Sequence, residues 1–128
     1  MTPREQRITF TKLVVQLLGL VNVADWSRYG TLEVAVDEWT VHSNRIYLDQ
    51  ATGERRLGVD RVHHPKGFHP RGLALDLLVY VNGVYVTDGA HPIWRDLDQM
   101  ASSLDSKLRF GIGFNDSNHL SFGEVTNA

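Results

Sequence analysis

The 128-residue chain contains no cysteine, which removes disulfides from the means of stabilising it and thiolates from the ligands open to a metal. Any metal it binds must be held by His, Asp and Glu. Long apolar runs are missing as well. The stretch Val14-Val15-Gln16-Leu17-Leu18-Gly19-Leu20-Val21 falls short of the roughly 18 apolar residues of a membrane-spanning helix, so no membrane span is expected. Arg4, Arg7 and Lys12 precede it as they would in an export signal. Its core is short, however, is interrupted by Gln16 and lacks a small-x-small cleavage site, and secretion by that route is not expected. There is also no Lys/Arg-rich run with interleaved aromatics, and the formal charge is -2. Without a positive field to capture phosphate backbones, nucleic acid is not an expected partner.

What is present is ordinary globular usage, with 42% hydrophobic and 22% charged residues, in a length that makes one domain over residues 1–128 and buries a core without staples. Thr2-Pro3 reads as an N-cap with proline in the first turn, and Phe10, Leu13, Val14, Leu17, Leu18 and Val21 recur at helical spacing. From Thr31 to Trp39 the period changes to two, with Leu32, Val34 and Val36 facing a core. His42 to Phe68 is mostly polar and reads as a long loop or a loose hairpin, a length often associated with function. Leu73 to Val81, Asn82-Gly83 and Val84 to Thr87 form a hairpin signal. Pro92 can open a second helix bearing Ile93, Leu97, Met100 and Leu104 on one face. Strands over Leu108 to Phe114 and His119 to Val125 are joined by the turn-forming Asn115-Asp116-Ser117-Asn118. The expected class is α+β, a single domain with a small, mainly antiparallel sheet flanked by helices. Trp94, Trp39 and Phe114 are expected in its core.

Chemistry concentrates in two clusters, His69-Pro70-Arg71-Gly72-Leu73-Ala74-Leu75-Asp76 and Asp116-Ser117-Asn118-His119. Both fall at strand ends, where neighbouring strands could bring all four side chains together. Catalytic zinc typically takes three nitrogen or oxygen ligands from the protein and leaves a fourth position for water. Two histidines and one carboxylate meet that requirement, and a further carboxylate is needed as general base for hydrolysis of an amide. Each half has a plainer reading. A His-Asp contact can be purely structural, and aspartate is a favoured turn residue that caps its own backbone.

The run His69-x-x-Gly72-Leu73-Ala74-x-Asp76-Leu77, followed by Asp116-x-x-His119, resembles the signature of the zinc D,D-/L,D-peptidases, a family that includes phage endolysins and vancomycin-resistance carboxypeptidases. Tyr80 to Thr87 resembles the hairpin after the metal aspartate of the phage enzymes, and Gly113-Phe114-x-Asp116-x-Asn118-His119-x-Ser121-Phe122 resembles their closing motif. The likeness covers about residues 68 to 124. It implies the hedgehog/D,D-peptidase type of fold, Zn2+ held by His69, Asp76 and His119, Asp116 as catalytic base, and hydrolysis of a peptide bond in the stem of bacterial peptidoglycan. It also implies an arginine that polarises the scissile carbonyl. No motif fixes that residue here, and Arg61 is the first candidate, Arg45 the second. The serine or threonine usual two residues before the first histidine is replaced by Gly67.

The expectation is therefore a monomeric phage or prophage endolysin, an L-alanyl-D-glutamate or related endopeptidase held in the host cytoplasm until the membrane is permeabilised. A D-alanyl-D-alanine carboxypeptidase or dipeptidase is the alternative among enzymes. A non-catalytic zinc domain of a phage structural or wall-binding protein is the alternative outside them.

Overall fold

The computed structural model describes residues 1–37, 44–48, 55–59 and 72–123. The first helix, α1 (Pro3–Val23), begins where Thr2 turns extended and its hydroxyl accepts the Glu5 amide at 3.1 Å. Pro3 opens the first turn, where its missing N–H breaks no helical bond. The buried face carries Phe10, Leu13, Val14, Leu17 and Val21. The helix ends at Ala24, and the Trp26 indole N–H donates to the Val21 carbonyl at 2.8 Å, folding the chain back on the last turn.

Strand β1 (Leu32–Asp37) follows, then β2 (Asn44–Leu48) and β3 (Arg55–Val59), which pair with each other in a separate antiparallel ribbon. Of the two readings of the His42 to Phe68 segment, the hairpin is the one these strands realise. Strand β4 (Ala74–Val81) enters through Leu73 and leaves through Asn82 and Gly83, both at positive φ, to the two-residue β5 (Val84–Tyr85). That is the turn chemistry that Asn-Gly favours. Helix α2 (Ile93–Leu104) and strands β6 (Leu108–Gly111) and β7 (Asp116–Phe122) follow. The five-stranded sheet has the order β1-β4-β7-β6, with β5 on β4, and every pair in it is antiparallel. Among the described residues, two helices and this sheet make the α+β fold expected. No helix among the described residues is long and apolar enough to cross a membrane.

Parity along β4 divides the sheet's two faces. Leu75, Leu77 and Val79 are buried in one cluster with Phe10, Leu17, Ile93 and Leu97 from the helices, whereas Asp76, Leu78 and Tyr80 are only partly buried and lie on the opposite face. That opposite face carries the candidate site.

The last two strands differ from the sequence-based expectation. β6 stops at Gly111, a 3-10 turn covers Ile112–Phe114, Asn115 takes the left-handed conformation at φ 55°, and β7 starts at Asp116, three residues earlier than expected. The cause is a register shift between Phe110 and Gly111, which places Gly111 opposite Asp116. A Cβ at residue 111 would come within 2.5 Å of the Asp116 carbonyl oxygen, so only glycine permits that approach. Phe114, expected in the core, is 63% exposed, while Trp94 is buried as expected. Trp39 lies outside the described residues.

Asp96 ties α2 to the turn after α1, accepting from the Tyr29 hydroxyl and pairing with Arg28, whose guanidinium also stands 4.8 Å from the Tyr29 ring centre. The hydrogen bond to Asp96 raises the Tyr29 pKa above its ordinary value of 10. The folded state thus holds this proton more tightly than the unfolded chain. The contribution is present below pH 10 and is lost as pH rises through the raised value. Melting curves taken at increasing pH above 10 should show the wild type losing stability faster than Tyr29→Phe, which has no proton to lose. Parallel declines would contradict this.

Candidate metal centre

Asp76 and His119 are brought together by strand pairing. Their Cα atoms are register partners between β4 and β7, so both side chains project from the face opposite the helices. Asp76 Oδ1 stands 3.7 Å from His119 Nδ1, with the two side chains 20% and 11% exposed. That separation is too long for a hydrogen bond. It is close to the edge of about 3.3 Å between two donors on a tetrahedral zinc with arms of about 2.0 Å.

Asp116 approaches the same atom. Its Oδ2 lies 3.7 Å from His119 Nδ1, with the carboxylate 57% exposed. Because β7 already begins at Asp116, the residue belongs to the strand and not to the preceding turn. Among the described residues no backbone N–H donates to its carboxylate, so the turn-capping reading loses its basis. Two carboxylates therefore converge on one imidazole nitrogen, one largely sheltered and one open to solvent.

A third carboxylate borders this row. Asp37, the last residue of β1, is the register partner of Asp76 across the other edge of β4, so Asp37, Asp76 and His119 occupy successive strands on one face. The sequence points to Asp37 only through its place in the Glu33, Ala35, Asp37 half of an alternating strand. Its position beside Asp76 follows from register.

The donor set fits zinc in kind, with an imidazole and a carboxylate. Among the described residues, no three His, Asp or Glu side chains converge closely enough to hold a metal ion. Asp76, Asp116 and His119 thus do not complete a site alone. The third expected ligand, His69, lies outside the described residues, as do Gly67 and Arg61. Arg45 lies in β2, opposite Gly58 of β3. Gly72, two residues before β4, has φ 71° and is buried. Its glycine is set by that left-handed backbone as the chain enters the strand.

No protein-family model matches this chain, and neither the curated proteins nor the solved structures contain a significant match.

The remaining histidine in the described region is structural in its contacts. His91 Nδ1 accepts the Ile93 amide at 3.1 Å and its ring packs on Tyr29 with centroids 5.5 Å apart. Pro92, at the N-cap of α2, has no side-chain cap, and His91 satisfies one of the amides that the first turn leaves open.

Proposed function

We propose that the chain is a zinc-dependent peptidase acting on bacterial peptidoglycan stem peptides, with His69, Asp76 and His119 as metal ligands and Asp116 as general base. The observation that carries this reading is the convergence of Asp76 and Asp116 on His119 Nδ1, each at 3.7 Å. It supports the grouping that the motif resemblance implies. Zinc, when bound, supplies Lewis acidity toward water and the amide carbonyl.

The chain's own residues divide the remaining work. Asp76 and His119, held by adjacent strands, fix their donors without loop motion. Asp116, at the open end of β7, receives the proton of the attacking water on its carboxylate and returns it to the departing amine nitrogen. Arg61, or Arg45 in its place, supplies positive charge to the carbonyl oxygen as it becomes anionic, an effect worth about 3 to 4 kcal/mol. In the proposed setting the enzyme is a phage or prophage endolysin that waits in the host cytoplasm.

Incubation with purified sacculi, with and without a chelator, tests the reading. Mass spectrometry should find stem-peptide fragments released by the untreated protein, lost on chelation and restored by added zinc. The masses also separate endopeptidase products from released terminal D-alanine. Absence of chelator-sensitive release from any wall type would overturn the enzymatic reading and leave the non-catalytic zinc domain in its place.

A further inference from the structure

The segment linking β5 to α2 crosses beside the start of β7. Ser117 Oγ donates to the Gly89 carbonyl at 2.6 Å, and the Trp94 indole N–H donates to the Asp88 carbonyl at 3.1 Å. Between this segment, the first turn of α2 and the turn before β7 lies a cavity of about 410 Å³, with His91, Trp94, Arg95, Ile112, Asn115 and Ser117 in its walls. Asn115 and Ser117 flank Asp116 in the chain. The volume lies within the range of small-ligand sites.

The described lining has one sign of charge. Arg95 contributes a cation, and among the described residues no Asp or Glu lines the cavity. The acidic residues of α2 are engaged elsewhere: Asp96 by Arg28 and Tyr29, and Asp98 by Arg109, whose guanidinium it binds through two nitrogens at 2.8 and 3.1 Å. Among the described residues, no carboxylate pairs with Arg95. Other donors share the lining. Because His91 Nδ1 accepts the Ile93 amide, the neutral ring carries its proton on Nε2 and can donate there, and the Asn115 side chain adds an amide. A concave site with a guanidinium, further N–H donors and no anion among its described walls suits a carboxylate, which guanidinium can bind through two oxygens.

We propose that this cavity is a carboxylate subsite, in which Arg95 binds a free carboxylate of the peptide cleaved beside Asp116. The inference rests on the peptidase reading, since stem peptides carry such carboxylates next to their scissile bonds. It makes Arg95 a specificity residue, not a catalytic one.

Calorimetry on zinc-loaded Asp116→Asn protein, which should bind without turning over, tests it. The probes are a synthetic stem peptide with free carboxylates and the same peptide amidated. Arg95→Ala is an exposed helix substitution that retains helix propensity. It should weaken binding of the free peptide about ten- to a hundredfold, the scale of one charge-assisted contact, and leave the amidated peptide unchanged. Arg95→Lys should recover part of the loss, since it keeps the charge without the fork. Undiminished binding of the free peptide by Arg95→Ala, or an equal cost of amidation with and without Arg95, would overturn the subsite. So would failure of the parent protein to bind the free peptide. Chelator-sensitive digestion of sacculi by the wild-type protein decides separately whether the peptidase reading falls with it.

Discussion

Asp116→Asn is expected to keep its fold and its zinc while turnover on peptidoglycan falls by about two to four decades, the usual scale for losing a general base. The substitution is nearly isosteric, and the site is 57% exposed at the first position of β7, so no buried contact is lost. What disappears is the capacity to take a proton beside His119. A residue acting as metal ligand would behave differently, because zinc and activity would be lost together. A residue with only a structural role would leave both intact. Zinc content and hydrolysis measured on one preparation separate the three, and retained zinc with retained activity would remove Asp116 from the mechanism.

Alanine at Asp76 or His119 is expected to have the opposite profile, reducing zinc from one per chain to none and hydrolysis to background. The two residues sit in register on adjacent strands, with their donor atoms 3.7 Å apart, so removing either leaves too few ligands for a zinc site. Stability should register the loss. A metal that binds only the folded state stabilises it by about 4 kcal/mol when its free concentration is a thousandfold above Kd. Added zinc should therefore raise the melting temperature of the wild type and leave that of both variants unmoved. His69→Ala should match them, whereas His91→Ala, whose imidazole serves the first turn of α2, should keep its zinc. Metal retention by all three ligand variants would overturn the assignment.

Much of this architecture is legible in the sequence because its determinants are local. Thr2-Pro3 fixes the start of α1, the spacing of Phe10 to Val21 fixes its buried face, and Asn82-Gly83 fixes the β4-β5 turn through two positive φ angles. The start of β7 is not legible for the opposite reason. Asn115 to Asn118 is rich in turn-forming residues and predicts a turn, yet the structure turns over Ile112–Asn115 and puts Asp116 in the strand. The deciding feature is the close approach of Gly111 to the Asp116 backbone, a contact between strands. The same distinction runs through the site. The spacings of Asp76 and His119 single them out, but their pairing, and the presence of Asp37 in the same row, depend on register. So does the cavity beside Ser117, whose walls come from segments that lie about twenty residues apart in the chain.

The proposed metal ion would occupy the face of the sheet between Asp76 and His119. Anomalous diffraction at the zinc absorption edge, from crystals of protein purified without chelator, tests it most directly. One strong peak per chain is expected, bonded to His69, Asp76 and His119 at about 2.0 to 2.2 Å, with Asp116 close by but outside bonding distance. A peak ligated by other residues, or crystals grown with added zinc that show none at Asp76 and His119, would contradict it.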